Sequence, residues 1–310
     1  MNDEPTRAVG DVDDSDELAA EFAEHRAVLV GAAYRVVGSV TDAEDVVQET
    51  WLRWSDADRS EVREVRAYLI RITTRLALNR LRQQKSRREN YVGPWLPEPI
   101  VATPDEQDPA AIAEVADSVS MAMLVVLETL SPLERAAFVL REVFDLPFSE
   151  IGDTLGRSES AVRQLAHRAR EHVHARQPRH RVDKARHQEL TNRFMAASSD
   201  GDYEQVVAML APDVELVSDG GGKRRAALRP MYGADKVARW LIAVISSPET
   251  LGMEFATAEL NGEVAYLAYD GETVDTAGFL QLDEHGLIDH IYVVRNPDKL
   301  TGVPTKNRLC

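Results

Sequence analysis

Cysteine is nearly missing from this chain: of 310 residues one is Cys, and it is the last, Cys310. No disulfide framework or cysteine-based metal site can form within one chain, which fits a reducing cytoplasm. No apolar run reaches membrane-spanning length, and the acidic N-terminus carries no charged-then-apolar signal pattern. A soluble cytoplasmic protein with no membrane partner is expected. Basic residues are in deficit, 36 Lys and Arg against 52 Asp and Glu, for a net charge of −16. Taken whole, that excess of acid argues against a nucleic-acid partner, because neutralising phosphates takes Lys and Arg. The stretch D-G-G-G-K at 219–223 lacks the G-x-x-x-x-G-K-[ST] spacing of a P-loop. Its glycines permit a tight exposed turn that presents backbone N–H groups to an anion.

What is present runs the other way locally. Between residues 62 and 90, nine basic residues stand against two acidic ones, the footprint of a duplex or groove contact. Hydrophobic residues make up 44%, ordinary for a globular chain, and the length is enough for two or three domains. Residues 1–16 are rich in Asp and poor in large apolar groups, so a disordered acidic tail is expected. From 17 the pattern is helical, with Leu18, Phe22, His25, Leu29, Ala32, Ala33 and Val36 three and four apart, until Gly38 and Ser39 break it. Thr41 with Glu44 three residues later reads as a capping box. A second helix therefore starts there and pairs antiparallel with the first. Ala43, Val47, Thr50, Trp51 and Trp54 take one side of it, while Asp42, Glu44, Asp45, Glu49 and Arg53 keep other positions charged. After a polar connection comes a basic helix over 65–84.

The composition changes at 91–109, where five prolines hold the backbone extended and mark a linker. Trp95 and Leu96 are out of place in a free linker; either they dock on a neighbouring domain or they bind a partner. A helix is expected over 110–130 and another over 133–143, the latter begun by Ser131, Pro132 and Glu134. Ser149 should cap a short helix, Gly156 make a turn and Ser158 cap a longer helix. This is the spacing of a helix-turn-helix, whose second helix lies in a DNA major groove. There Val162, Leu165, Ala166, Ala169 and Val173 share the buried side. Arg163, Gln164, His167 and Arg168 are left to meet base edges and phosphates. Residues 177–186 are a second basic connection that either touches DNA or is merely solvated. From 187 to 303, helices over 187–197, 203–210 and 233–245 alternate with strands over 214–217, 255–259, 264–269, 273–282 and 287–294. With Asn261-Gly262 as a hairpin turn, they describe helices on one side of a curved antiparallel sheet, an α+β cone. Ile288, His290 and Tyr292 alternate onto one face, which makes His290 a candidate cavity residue, although a lone strand His is more often structural.

Three stretches resemble bacterial sigma factors of the extracytoplasmic-function type, in the family's order. They are D-A-E-D-V-V-Q-E-T-W-L-R-W, R-A-Y-L-I-R-I-T-T-R-L-A-L-N-R-L-R, and the helix-turn-helix with V-R-Q-L-A-H-R-A-R. The resemblance implies two all-α sigma domains, residues 17–90 and 110–176. It implies that Asp42, Glu44, Asp45, Gln48, Glu49, Trp51 and Leu52 bind the clamp of the largest subunit of core RNA polymerase. Arg59, Arg66, Arg71, Arg75, Arg80 and Arg82 would engage the minus-10 promoter element, and Arg163, Gln164, His167 and Arg168 the minus-35 element. The last domain resembles the SnoaL-like branch of the nuclear-transport-factor superfamily, whose cone often holds a cavity, so a small-molecule ligand is a further candidate partner. W-L-P-E-P in the linker, D-G-G-G-K and N-P-D-K-L match the sigma group with such a domain fused. The expectation is an alternative sigma factor rather than an enzyme, with no cofactor or metal. Its cone is expected to dock on Trp95, Leu96 and Pro97 and so regulate it. The docking groups would be Asp219, Gly220, Gly221, Gly222 and Lys223, or Asn296, Pro297, Asp298 and Lys299. Two other classes stay open: a ligand-sensing regulator that binds duplex DNA without polymerase, and a small-molecule enzyme using His290.

Overall fold

A computed structural model describes residues 10–60, 62–88, 90–101, 120–176 and 183–308. Part of the acidic tail, the 102–119 portion of the linker and following helix, and most of the basic connection at 177–182 lie outside them. Three long helices come first: α1 (Gly10–Val37), α2 (Val40–Ser55) and α3 (Val65–Arg88). The first begins inside the stretch expected to be a tail. Gly38 ends it with φ +71 and its N–H bonded to the Tyr34 carbonyl at 2.8 Å. The expected capping box at Thr41 is not the cap. Ser39 is, its hydroxyl accepting from the Asp42 N–H at 3.2 Å, because the chain turns two residues earlier at Gly38.

The second helical unit holds α4 (Met121–Glu128), α5 (Pro132–Phe138) running into a π-helical turn at Val139–Val143, α6 (Phe148–Leu155) and α7 (Glu159–Arg176). Ser131 and Glu134 form the expected reciprocal capping box. Ser149 does not cap α6; Pro147 occupies that position without a side-chain bond, since Pro fits a helix start unaided. Gly156 closes α6 in the left-handed conformation, φ 63. The two helical units do not stand apart. Leu69, Ile70, Leu78 and Trp54 share one apolar core with Ala136, Leu140, Ile151 and Val162.

The third unit packs α8 (Lys184–Asp200), α9 (Tyr203–Met209) and α10 (Ala234–Ile245) on a six-stranded sheet. Its strands are β1 (Leu210–Asp219), β2 (Met231–Tyr232), β3 (Glu254–Leu260), β4 (Glu263–Asp270), β5 (Thr273–Leu282) and β6 (Ile288–Val294), in the order β2-β1-β6-β5-β4-β3. The sheet is mixed rather than antiparallel throughout, because β1 runs parallel to β6. Asn261-Gly262 turns the β3–β4 hairpin with both residues at positive φ, as a two-residue turn between twisted strands requires. Phe194, Val206 and Leu241 fill the helical face of the sheet. The opposite face is apolar too: Leu267, Tyr269, Phe279, Tyr292 and Val294 are buried against Leu96 of the linker and Met121 of α4. The sheet is thus a shared wall between the cone and the helical units.

Gly278 on β5 faces Tyr266 on β4, and a Cβ added there would fall 1.9 Å from the tyrosine ring. Gly278→Ala should destabilise the fold by about 1–3 kcal/mol through overpacking, read as a lower urea midpoint.

Candidate functional site

Four surfaces carry the predicted residues. The first is a groove of about 340 Å³ between α1 and α2, lined by Phe22, Ala23, Arg26, Glu44, Asp45, Val47, Gln48 and Trp51. Phe22 meets Trp51 edge to face at 5.2 Å, giving an apolar floor, and an Arg26–Glu44 ion pair closes one rim. Leu52 is 57% exposed, while Glu49 pairs with Arg53 along the helix at 2.8 Å. Asp42 is elsewhere: it accepts from the Arg80 Nε at 2.6 Å and ties α2 to α3. Sequence reasoning missed Phe22, Ala23 and Arg26, although Phe22 and Arg26 lie one helical turn apart on α1.

The second surface is α3. Arg66, Arg75 and Arg82 are exposed. Arg80 is committed to Asp42 and to Asp45 at 2.9 Å. Arg71 reaches across to the helix-turn-helix, its guanidinium 2.9 Å from Glu150. Arg59 lies over the Trp54 ring, 5.7 Å from its centroid. Six arginines expected to form one basic face therefore divide into open cations and paired ones.

The third is α7. Gly152 lets α6 and α7 approach closely, since a Cβ there would meet the Arg157 carbonyl at 2.7 Å. Val162, Ala166, Ala169 and Val173 are buried as the pattern required, and Leu165 is half-buried. Arg163, Gln164, His167 and Arg168 are all exposed, yet three have acidic company. Arg163 pairs with Glu159 and lies 4.6 Å over Phe148. Arg168 sits 2.9 Å from Glu134, and His167 sits 3.7 Å from Glu171. The Ser131 hydroxyl and Arg168 hold the Glu134 carboxyl below its ordinary range.

The fourth surface is where the linker threads between the units. Asp219, at the end of β1, is fully buried. It accepts from the Tyr91 hydroxyl at 2.6 Å, the Leu96 N–H at 2.9 Å, the Gly221 N–H at 3.0 Å and Lys299 at 2.7 Å. Lys299 also donates to the Leu96 carbonyl at 2.5 Å, and its ammonium lies 3.1 Å from the centroid of the Trp95 ring. Asn296 donates to the Tyr91 hydroxyl at 2.8 Å. Lys223 faces away, to Asp298 at 2.6 Å. Pro97 is buried, and one residue further Glu98 caps α2, its carboxylate accepting from the Val40 N–H at 2.6 Å and the Ser39 hydroxyl at 3.0 Å.

The α1–α2 corner collects contacts from every unit. Tyr34 donates to the Glu98 carbonyl at 2.6 Å and accepts from Asn261, at the tip of the β3–β4 turn, at 3.0 Å. Arg135 of α5 donates to the Arg35 carbonyl at 2.7 Å and pairs with Glu128 at 2.8 Å. Sequence reasoning missed Tyr34, Glu98, Arg135 and Asn261. Nothing local marks them, since each is defined by a partner far along the chain.

His290 does not line the cone's cavity. A register shift beside it separates it from Ile288, so Ile288 packs inward with Ile291 and Val293. His290 stacks on Tyr292 at 5.9 Å, with Asp289 at 3.2 Å and Glu215 at 3.7 Å. Burial would lower its pKa, but the nearby carboxylates of Asp289, Glu215 and Asp213 outweigh it and raise the value. The cavity itself is about 50 Å³, walled by Trp240, Val244, Met253 and Phe255 and floored by Tyr266 and Arg295, well below the roughly 300–1,000 Å³ of ordinary ligand pockets.

Residues 22–87 match the model for Sigma-70 region 2, and residues 120–173 that for Sigma-70 region 4. The chain is 40% identical to the ECF RNA polymerase sigma factor SigJ of Mycobacterium tuberculosis over 300 residues, 93% of this chain and 95% of that one. This chain belongs to the extracytoplasmic-function sigma factors. It is 35% identical over 292 residues to the probable ECF sigma factor SigI of the same species, covering 92% of this chain and 95% of that protein. The crystal structure of M. tuberculosis SigJ superposes with a TM-score of 0.74 at 38% identity, across 93% of this sigma factor and 100% of that chain. The partners that come with the family are core RNA polymerase and promoter DNA. Among the described residues no helix is long and apolar enough to cross a membrane.

One buried acid makes this arrangement pH-dependent. Glu263 of β4 accepts from the Met121 N–H at the start of α4 at 2.7 Å, and burial pushes its carboxyl up to about 7 from the ordinary 4.5. A pKa raised on folding means the folded state holds the proton more tightly. Its favourable contribution is complete below pH 4.5 and is lost as pH rises toward 7. Glu263→Gln keeps the acceptor and cannot ionise. Thermal melts of the two proteins should coincide below about pH 4.5, separate progressively as pH rises toward 7 and stay apart above it, with the Gln variant melting higher.

Proposed function

We propose that this sigma factor restrains itself. The α1–α2 groove takes the clamp of the polymerase's largest subunit, α3 engages the minus-10 element, and α7 reads minus-35. The cone and linker hold the two DNA-binding units against each other until they are released. The observation that carries this reading is the packing of α3 on the helix-turn-helix, through the shared core of Leu69, Ile70, Leu140 and Ile151 and the Arg71–Glu150 bridge. The two promoter elements lie about 25 base pairs apart, roughly 85 Å at about 3.4 Å per pair. A compact chain of this length has a radius of gyration of about 20 Å. The packed form therefore cannot span both elements, and initiation requires α3 and α6 to part.

Charge supports the same reading. Packing pairs Arg71 with Glu150 across the two units, and within the helix-turn-helix unit itself Arg163 and Arg168 have the carboxylates of Glu159 and Glu134, so phosphates must displace all three. This keeps an acidic protein off bulk DNA until polymerase supplies further contacts. The cone acts here as a restraint rather than a catalyst, since His290 and Glu215 stand outside its small cavity.

Two measurements test this. Trp51→Ala removes half of the Phe22–Trp51 floor and should weaken core polymerase binding by about tenfold or more, as loss of a buried aromatic anchor does, with initiation falling in step; unchanged affinity would move the polymerase contact off this groove. Leu96→Asp places a second carboxylate beside Asp219 and should free the linker. The distance between probes on α2 and α7 should lengthen, and in vitro transcription with core polymerase should rise. If neither distance nor transcription changes, self-restraint is ruled out.

A further inference from the structure

The connection between β1 and β2 has a role that the polymerase and promoter surfaces do not use. Residues 220–230 read G-G-G-K-R-R-A-A-L-R-P, four cations and no carboxylate in a chain of net charge −16. The backbone is pinned. The Lys223 and Arg224 N–H groups both bond to the Gly220 carbonyl, at 2.9 and 3.1 Å. A Cβ at Gly220 would fall 2.2 Å from the Arg224 carbonyl, and the Arg225 carbonyl accepts from Arg295 at 2.8 Å. Arg224 reaches the buried Asp275 at 3.3 Å yet stays 51% exposed. Arg225 and Arg229 are exposed and among the described residues have no ion-pair partner. Lys223 is paired with Asp298 and Arg224 with Asp275, so it is Arg225 and Arg229, without such a carboxylate in a protein with acid to spare, that are poised for an outside anion.

Position says which anion. Gly222 packs on Val92, Leu228 lies against Gly93, and Gly221 lies beside Tyr91. These are the residues that leave the C-terminal end of α3. That helix is 24 residues long, about 36 Å at about 1.5 Å per residue, close to one duplex turn of roughly 34–36 Å. Along it Arg66, Arg75 and Arg82 are exposed. Nine residues put Arg66 half a turn round the helix from Arg75, whereas Arg75 and Arg82 share a side. The loop lies against the chain just beyond the Arg82 end, so DNA held there by Arg75 and Arg82 has the loop's cations close by. Family membership makes promoter DNA the ligand of α3.

We propose that residues 220–230 are a third DNA contact of this sigma factor, in which Arg225 and Arg229 hold backbone phosphates of the duplex flanking the minus-10 element. The contact is independent of sequence, because it is made to phosphates rather than base edges. It requires the cone to stay with the first helical unit when the helix-turn-helix departs. Glu98 on the start of α2 and Asn261 on Tyr34 provide that attachment.

The test uses the full chain bound to core polymerase and a promoter fragment, with Arg225→Ala/Arg229→Ala compared against wild type and against Arg225→Lys/Arg229→Lys. Losing two phosphate contacts should lower the slope of log affinity against log salt by about 2 and weaken binding several-fold, equally for all promoter sequences. Hydroxyl-radical protection beside the minus-10 element should shrink, and the Lys pair should restore it. An unchanged slope and footprint would overturn the proposal. So would a loss confined to core polymerase affinity, which would assign the loop to an acidic protein surface, whereas loss of initiation by Trp51→Ala tests the polymerase groove separately.

Discussion

The buried pair of Lys299 and Asp219 is the interaction on which the arrangement of units depends. Two charges taken out of water are costly unless their remaining bonding capacity is met, and losing one partner of such a pair costs about 3–5 kcal/mol. Here it is met in full. Asp219 accepts from Tyr91, Leu96 and Gly221 besides Lys299. Lys299 gives a further bond to Leu96 and rests on the Trp95 ring. Both peptide groups of Leu96 are bonded, and its side chain is buried in the outer face of the sheet. That fixes the register of the linker, and the register puts Glu98 on the start of α2 two residues later.

From this follows a division of labour among carboxylates. Glu98 and Glu263 each accept from the first N–H groups of a helix in another unit, where the helix dipole favours a negative charge. Burial raises the pKa of both, so the same closeness that orders the junction makes ionisation expensive. Arg135 does the complementary job at the C-terminal end of α1, meeting the Arg35 carbonyl. One corner of the first unit, residues 34–40, is thereby held from three directions. A corner of that kind opens in few ways, because separating any unit strands a buried polar group.

Much of the fold was legible in the sequence. The helical periodicity of 17–54, the Ser131–Glu134 box, the turn at Gly156 and the Asn-Gly hairpin rest on local rules that the surroundings did not override. The errors have physical causes as well. Thr41 lost the cap to Ser39 because the left-handed turn at Gly38 that ends α1 lets the next helix start at Val40. A bulge before His290 reversed the facing of Ile288, and alternation cannot foresee an extra residue in a strand. The candidate site divided in the same way. Arg75, Arg82 and Gln164 are exposed as the spacing required, while Arg71 and Arg80 are engaged by acids that spacing along one helix could not name.

By itself the sequence determined which segments are helices and strands, where the helix-turn-helix lies, and that three motifs of a sigma factor follow in order. These are properties of residues within a few turns of one another, where propensity, capping and periodicity act. Tertiary structure alone decided that both faces of the sheet are covered, that the linker is a buried strap, and that the basic loop after β1 lies against the chain leaving α3. Those facts join residues up to 227 positions apart, as Tyr34 and Asn261 are, and such pairings follow from which apolar surfaces bury one another, which no local pattern encodes.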